Sequence, residues 1–279
     1  MQFRLFSALL VLASAIPAFG STIDLGTASS FGLLGGTISN TGTSAVTGNI
    51  GAVGTVTGFD PTGTQTGTVY SGGSVVASAY SDFENAFTSA FNDSATTSVA
   101  GLATSQTFLG AGIYGFSSTD VTSTAGITLT FDAQSNSSAV FIMQISGALT
   151  IDGPITFDLI NGASASNIYW IVGNTTTDEA AVIDPSAGLP ITWDGNILAG
   201  TFTMSAIPGG SGLLAGTING CVLTVNANTL AGTTQVNGCS ASGSASSVPE
   251  PGTSGLLALA CVLGMIWLRG VKPLQMCKL

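Results

Sequence analysis

Positive charge is almost missing from this chain, and histidine is missing altogether. Its 279 residues hold four Lys and Arg against 14 Asp and Glu, for a net charge of −10. The four cations are Arg4, Arg269, Lys272 and Lys278, all near the chain ends. Between Ser21 and Ser247 there is no Lys, Arg or His, whereas acidic residues run from Asp24 to Asp194. Nucleic-acid binding needs cations that displace condensed counterions, so no nucleic-acid partner is expected. Without His there is no His-based triad, general base or metal-ligand set. Lysine nucleophiles and Schiff bases are excluded in the same way. Glycan-cutting β-helices set Arg, Lys or His against substrate carboxylates, and this body has none. A carboxylate pair could still hydrolyse a glycosidic bond, but no pair stands out. The Gly-Gly-x-Gly-x-Asp calcium repeat is absent as well. The expectation is a protein without enzyme activity, metal or cofactor.

What is present is Thr, Ser, Gly, Ala and Val, with 45% hydrophobic and only 6% charged residues. Disorder accompanies low hydrophobicity and high net charge. This composition instead suits a folded, β-rich chain, since Thr and Val fit a pleated, half-buried surface.

The two ends differ from the body. Residues 1–20, MQFRLFSALLVLASAIPAFG, place one Arg before an apolar run that ends in small residues. That is the pattern of a secretory signal peptide. At the other end a Ser/Gly/Ala linker, 241–247, leads to Pro249-Glu250-Pro251. An apolar stretch from Ser254 to Leu268 follows, then Arg269 and Lys272. The stretch is slightly short for a full membrane span, and the cations behind it fit the positive-inside rule. Residues 248–279 resemble the PEP-CTERM sorting signal of Gram-negative bacteria. The resemblance implies that an exosortase-type protease recognises Pro249, Glu250 and Pro251 while the segment sits transiently in the inner membrane. The product would be secreted or held at the cell surface. A plain C-terminal anchor is the alternative. Cys221 and Cys239 are the cysteines of the body, and Cys261 and Cys277 lie in the tail. In an oxidising compartment the first two are expected to pair and staple the final turn of the domain.

Roughly 225 residues remain between the ends, a size at which an all-β body is often one domain; its span is taken as 21–240. Residues 22–72 are short β-type runs broken by Gly and Asn. Over 74–92 the period changes: Val76, Tyr80, Phe83, Phe87 and Ala90 or Phe91 recur at steps of three and four. That predicts one apolar helix face, with Ser74 as a candidate cap. From Gly110 to Val236 short strands return, among them VFIMQI, ITFDLI, NIYWIVG and GNILAGTFTMSA. Such segments, none able to bury its own interior, predict a parallel β-helix with a packing helix against it.

The ordered pieces DLGTA, FGLLGGTISNTG, VTGNIGAVGT, the helix, AVFIMQISGALTI, ITFDLINGASASNIYWIVG and GNILAGTFTM resemble the ice-binding-protein-like family of cold-adapted bacteria, algae and fungi. The likeness runs from about Ile23 to Val236. It implies an all-β fold: a discontinuous, right-handed β-solenoid, triangular in section, with one long α-helix alongside. It also implies an ice crystal surface as the partner of one flat face. Strand alternation turns Leu149, Ile151, Phe202, Met204 and Leu230 inward. It leaves Thr150, Thr201, Thr203 and Thr229 outward, and position in the coil adds Thr175 and Thr177. These six are the expected ice-binding residues. Asp178 and Glu179 conflict with that face, because a carboxylate keeps its own hydration. The alternative is a cell-surface or extracellular-matrix structural or adhesion protein without ice activity.

Overall fold

A computed structural model of the chain describes residues 23–59, 64–118, 120–184, 189–205 and 214–239. The leader at 1–20, the linker at 241–247 and the tail with Pro249, Glu250 and Pro251 lie outside the described residues. Among the described residues no helix is long and apolar enough to cross a membrane.

The Thr- and Val-rich runs form strands of two to six residues, and every described pairing between them is parallel. A run this short buries one side only when the next coil stacks on it. Stacking produces a solenoid with three faces. The first is a nine-stranded sheet and the second a seven-stranded sheet. The third consists of a three-stranded and a five-stranded sheet, with Ile155–Ile160 lying beside Ile191–Asp194.

The coils do not follow chain order. From Phe31–Gly35 the first face grows outward through Asn49–Ala52 to Val69–Ser71. The helix Ser74–Asn92 then runs back over that face, and the chain restarts at the far end with Thr97–Val99. Further coils bring it back until Val222–Thr224 pairs with Phe31–Gly35. N- and C-terminal coils therefore meet in the middle of the sheets. The N-terminal coils are short, with coil-to-coil hydrogen bonds linking residues 18 or 19 apart. In the C-terminal coils the separation varies, from 18 for Asn237 and Asn219 to 30 for Asn196 and Ser166.

The helix explains why strands of the first face read as continuous apolar runs rather than alternating ones: they are buried on both sides. Val76, Ala79, Phe83, Ala86, Phe87 and Ala90 are buried over Leu34, Ile142, Ile171, Leu198 and Leu223. Phe83 and Phe87 stack with ring centroids 5.6 Å apart. Ser74 begins the helix but does not cap it. Gly73, at φ 88°, is the N-cap, and no side chain closes the first turn. Only a residue without Cβ enters a helix cheaply from that backbone angle.

The interior of the C-terminal coils is aromatic: Trp170 and Trp193 lie 4.7 Å apart and Phe108 and Phe131 4.8 Å apart by ring centroid. The seam between N- and C-terminal coils is polar instead. Asn40, Ser44, Thr224, Asn228 and Thr234 are all buried there. The Asn40 amide donates to Gly58 O at 2.9 Å, Ser44 Oγ donates to Asn40 Oδ1 at 2.8 Å, and Thr234 N–H donates to Ser44 Oγ at 3.2 Å. Of these bonds the one from Thr234 N–H joins the two sets of coils, while Asn228 Oδ1 and Thr234 Oγ1 stay buried without a hydrogen-bond partner among the described residues. Cys221 and Cys239 form a disulfide with Cα atoms 4.5 Å apart. It closes the loop holding Val222–Thr224, Ala227–Leu230 and Thr233–Val236, the last coil.

Candidate functional site

The second face presents its strands in the spatial order Val121–Ser123, Leu149–Ile151, Ala180–Ile183, Thr201–Met204, Ala227–Leu230, Thr37–Asn40 and Val56–Thr57. Val121, Leu149, Ala181, Phe202, Asn228 and Ile38 point into the core and are buried. The residues after them point out. In register they form one row: Thr122, Thr150, Val182, Thr203, Thr229, Ser39 and Thr57. Val182 interrupts the hydroxyls with a methyl of the same shape. A second row pairs Ala180 with Thr201 and Ala227 with Thr37. Rows are spaced about 6.6–6.8 Å along a strand and about 4.7–4.9 Å between strands. None of these seven strands contains a charged residue.

Thr150, Thr201, Thr203 and Thr229 are half-buried by their neighbours. Their hydroxyls make no protein hydrogen bond among the described residues, which leaves them for water. Thr57 differs, since its hydroxyl turns back to Ile38 O at 3.3 Å.

Thr175 and Thr177 do not join this row. The partner of Thr150 on the next strand is Val182, and residues 173–179 form the turn that precedes it. In that turn Asn174 Oδ1 accepts from the N–H groups of Thr176 and Thr177 at 2.7 and 3.0 Å, and Thr177 Oγ1 accepts from Asn174 N–H at 3.3 Å. Coil position misplaced them because the turn is long enough to carry its own side-chain-bonded loop. Asp178 lies in the same turn, with φ 51°. The Tyr80 hydroxyl, which donates to Val225 O at 2.6 Å, has its pKa pushed up to about 12 by burial, then by Glu84 and Asp178. The Asp178 backbone passes so close to Gly200 that a Cβ there would lie 2.1 Å from Asp178 C.

Residues of the face that alternation in the C-terminal coils could not supply are Thr37 and Ser39, with Thr41 continuing their strand: Thr41 N–H donates to Leu230 O at 3.0 Å. Their TISNT pattern alternates correctly, but only the discontinuous winding sets it beside Ala227–Leu230.

Elsewhere the polar groups are structural. Asp82 accepts from Thr27 Oγ1 and N–H at 2.6 and 2.8 Å, which lowers its pKa. Asp194 is raised by burial, against the opposing hydrogen bond from Asn219. Among the described residues no group of three or more His, Cys, Asp or Glu could hold a metal ion.

The fold and face together define a class: a discontinuous parallel β-solenoid with a helix along one face and an uncharged threonine row on another. Residues 33–237 match the ice-binding-like family, and the chain belongs to it. It is 33% identical over 178 residues to an ice-binding protein of Nostoc sp. (strain HG1), covering 63% of this chain and 61% of that relative. Among solved structures it resembles the ice-binding protein of the Antarctic ascomycete Antarctomyces psychrotrophicus. That likeness has TM-score 0.64 and 31% identity, over 78% of this chain and 99% of that one. An ice-binding protein from an Antarctic biological consortium is similar at TM-score 0.63 and 28% identity, over 77% of this chain and 90% of its own.

Proposed function

We propose that this protein is exported and adsorbs to ice through its second face, inhibiting ice growth or recrystallisation. The observation that carries the reading is the row Thr122 to Thr57, continuous in register and free of charge. Ice is a lattice of uncharged water, and a charge on the protein would hold its own hydration shell against it. Threonine offers a methyl and a hydroxyl on a stiff β-branched stem, and parallel strands repeat it at spacings comparable to those of ice surfaces. The names of the relatives in sequence and structure support the same reading. Residues 1–20 act as the export signal, and Pro249, Glu250 and Pro251 are the recognition motif for an exosortase-type protease. The mature protein is secreted or held at the cell surface.

The direct test is partition of the full-length protein into a growing ice front, with recrystallisation inhibition measured alongside. Enrichment in the ice is the expected result. Exclusion from the ice would contradict it and leave the surface-matrix reading that the sorting tail also suits.

A further inference from the structure

The chain enters and leaves the solenoid on the side away from the second face. The last coil passes through Val222–Thr224 on the first face, Ala227–Leu230 on the second and Thr233–Val236 on the third. It then reaches Cys239, whose disulfide returns to Cys221, the residue before Val222–Thr224. Cys239 therefore marks the corner between the third and first faces. In a section with three sides, that corner lies opposite the second face. Entry is on the same side: Ile23 packs against the cluster under the helix, and Thr27 bonds to Asp82 of the helix.

The exit corner is tied down. Cys221 is fully buried among residues that the helix covers, and its N–H donates to Asn196 Oδ1 at 3.2 Å. Asn237 Nδ2 donates to Asn219 Oδ1 at 2.7 Å, and Asn219 Nδ2 donates to Asp194 Oδ1 at 2.6 Å. Gly238, at φ 81°, lies so close to the next coil that a Cβ there would stand 2.5 Å from Thr47 O. Residues 240–279 follow this corner in the chain.

We propose that this protein holds ice while tethered through the residues beyond Cys239, with the Cys221–Cys239 disulfide as the clip that carries the load. The proposal rests on the ice-binding reading of the second face and adds how the protein is held. A tether joined at this corner meets the solenoid opposite the ice face, so anchor and ice do not compete for one surface. Tension on the tail enters at Cys239. Without the bond it would peel Thr233–Val236 and then Ala227–Leu230 from their neighbours, and Thr229 would leave the middle of the threonine row. With the bond the tension passes to Cys221, and the residues between the two cysteines lie outside its path. The last coil, which joins C-terminal to N-terminal strands, then stays in register under load.

The test couples the full-length chain to beads through its C-terminus and drives an ice front past them under flow. Capture of the beads is expected. The Cys221→Ala/Cys239→Ala variant, free in solution and in the cold, should adsorb as wild type does. Coupled to beads, it should be shed at a severalfold weaker flow, because forced unfolding follows the unfolding rate. Should the variant fold poorly, the wild type is stretched between its termini with and without a dithiol, which reduces the bond to two thiols and is itself oxidised to a disulfide. The first rupture should then need severalfold less force. Adsorption by the free wild type with exclusion of its coupled beads would overturn the tethered reading and leave the ice reading intact. Equal resistance to flow, or equal rupture force, with and without the disulfide would overturn the clip. If neither free nor coupled wild type adsorbs, the ice reading fails, and the inference falls with it.

Discussion

The second and third faces are built from the same kind of strand and are both rich in outward threonine, yet they differ in two respects. On the third face Thr192, Thr217 and Gln235 stand in one row, and Thr107 and Thr130 in another that runs into Asp158. Asp132, Asp158 and Asp194 lie within its strands. Its sheet is divided at Ile155–Ile160, where Ile155, Phe157 and Leu159 are only partly buried. The second face has one uninterrupted register and no charge in its strands. Threonine content alone thus does not distinguish the two faces. Continuity of register and the absence of charge within the strands do.

Substitutions outside both faces show whether the comparison is confined to them. The largest stability effect is expected at the helix. Phe83→Ala or Phe87→Ala empties a fully buried ring site and should cost about 3–5 kcal/mol. Because the helix covers only the first face, adsorption per folded molecule should be retained. Loss of adsorption at unchanged fold would bring the helix into the functional surface. Next comes the disulfide. Cys221→Ala/Cys239→Ala frees the last coil, which feeds strands to both compared faces, and should cost about 3 kcal/mol as a lost loop constraint. Denaturant melts of the oxidised and variant proteins measure it, and equal midpoints would show that the seam holds without the staple.

A smaller, pH-dependent effect belongs to Asp82. Its folded pKa is lowered by the Thr27 bonds, so its contribution is present above the unfolded value of about 3.9 and fades as pH falls through the lowered folded value. Asp82→Asn should melt below wild type at neutral pH, with the gap closing on acidification. A gap that stays constant from neutral to strongly acid pH would show that the charge of Asp82 plays no part.

Much of this was legible in the sequence. The helix over 74–92 was readable because its aromatic period has one physical solution. The outward placement of Thr150, Thr201, Thr203 and Thr229 followed from alternation inside the C-terminal strands. The remainder depended on information that local pattern does not contain. Thr175 and Thr177 fall outside the row because the length of a turn does not show which later residue re-enters the sheet. Thr37, Ser39 and Thr41 were missed because pairing across 190 residues, such as that of Thr43 Oγ1 with Thr233 Oγ1, is set by the winding order. Ser74 looked like a cap, but the positive φ at Gly73 comes from how the chain leaves the last N-terminal coil.

The central claim is that the second face, and not merely a threonine-rich surface, holds ice. The most direct measurement is ice partition of Thr203→Tyr beside Thr217→Tyr. Both positions are outward and half-buried, one in the middle of each compared face. Outward surface changes shift stability by about 0.5 kcal/mol or less, so far-ultraviolet spectra should match wild type in both. The account predicts that Thr203→Tyr loses most of its adsorption and that Thr217→Tyr keeps it. Equal adsorption by the two variants, or loss in Thr217→Tyr alone, would contradict it.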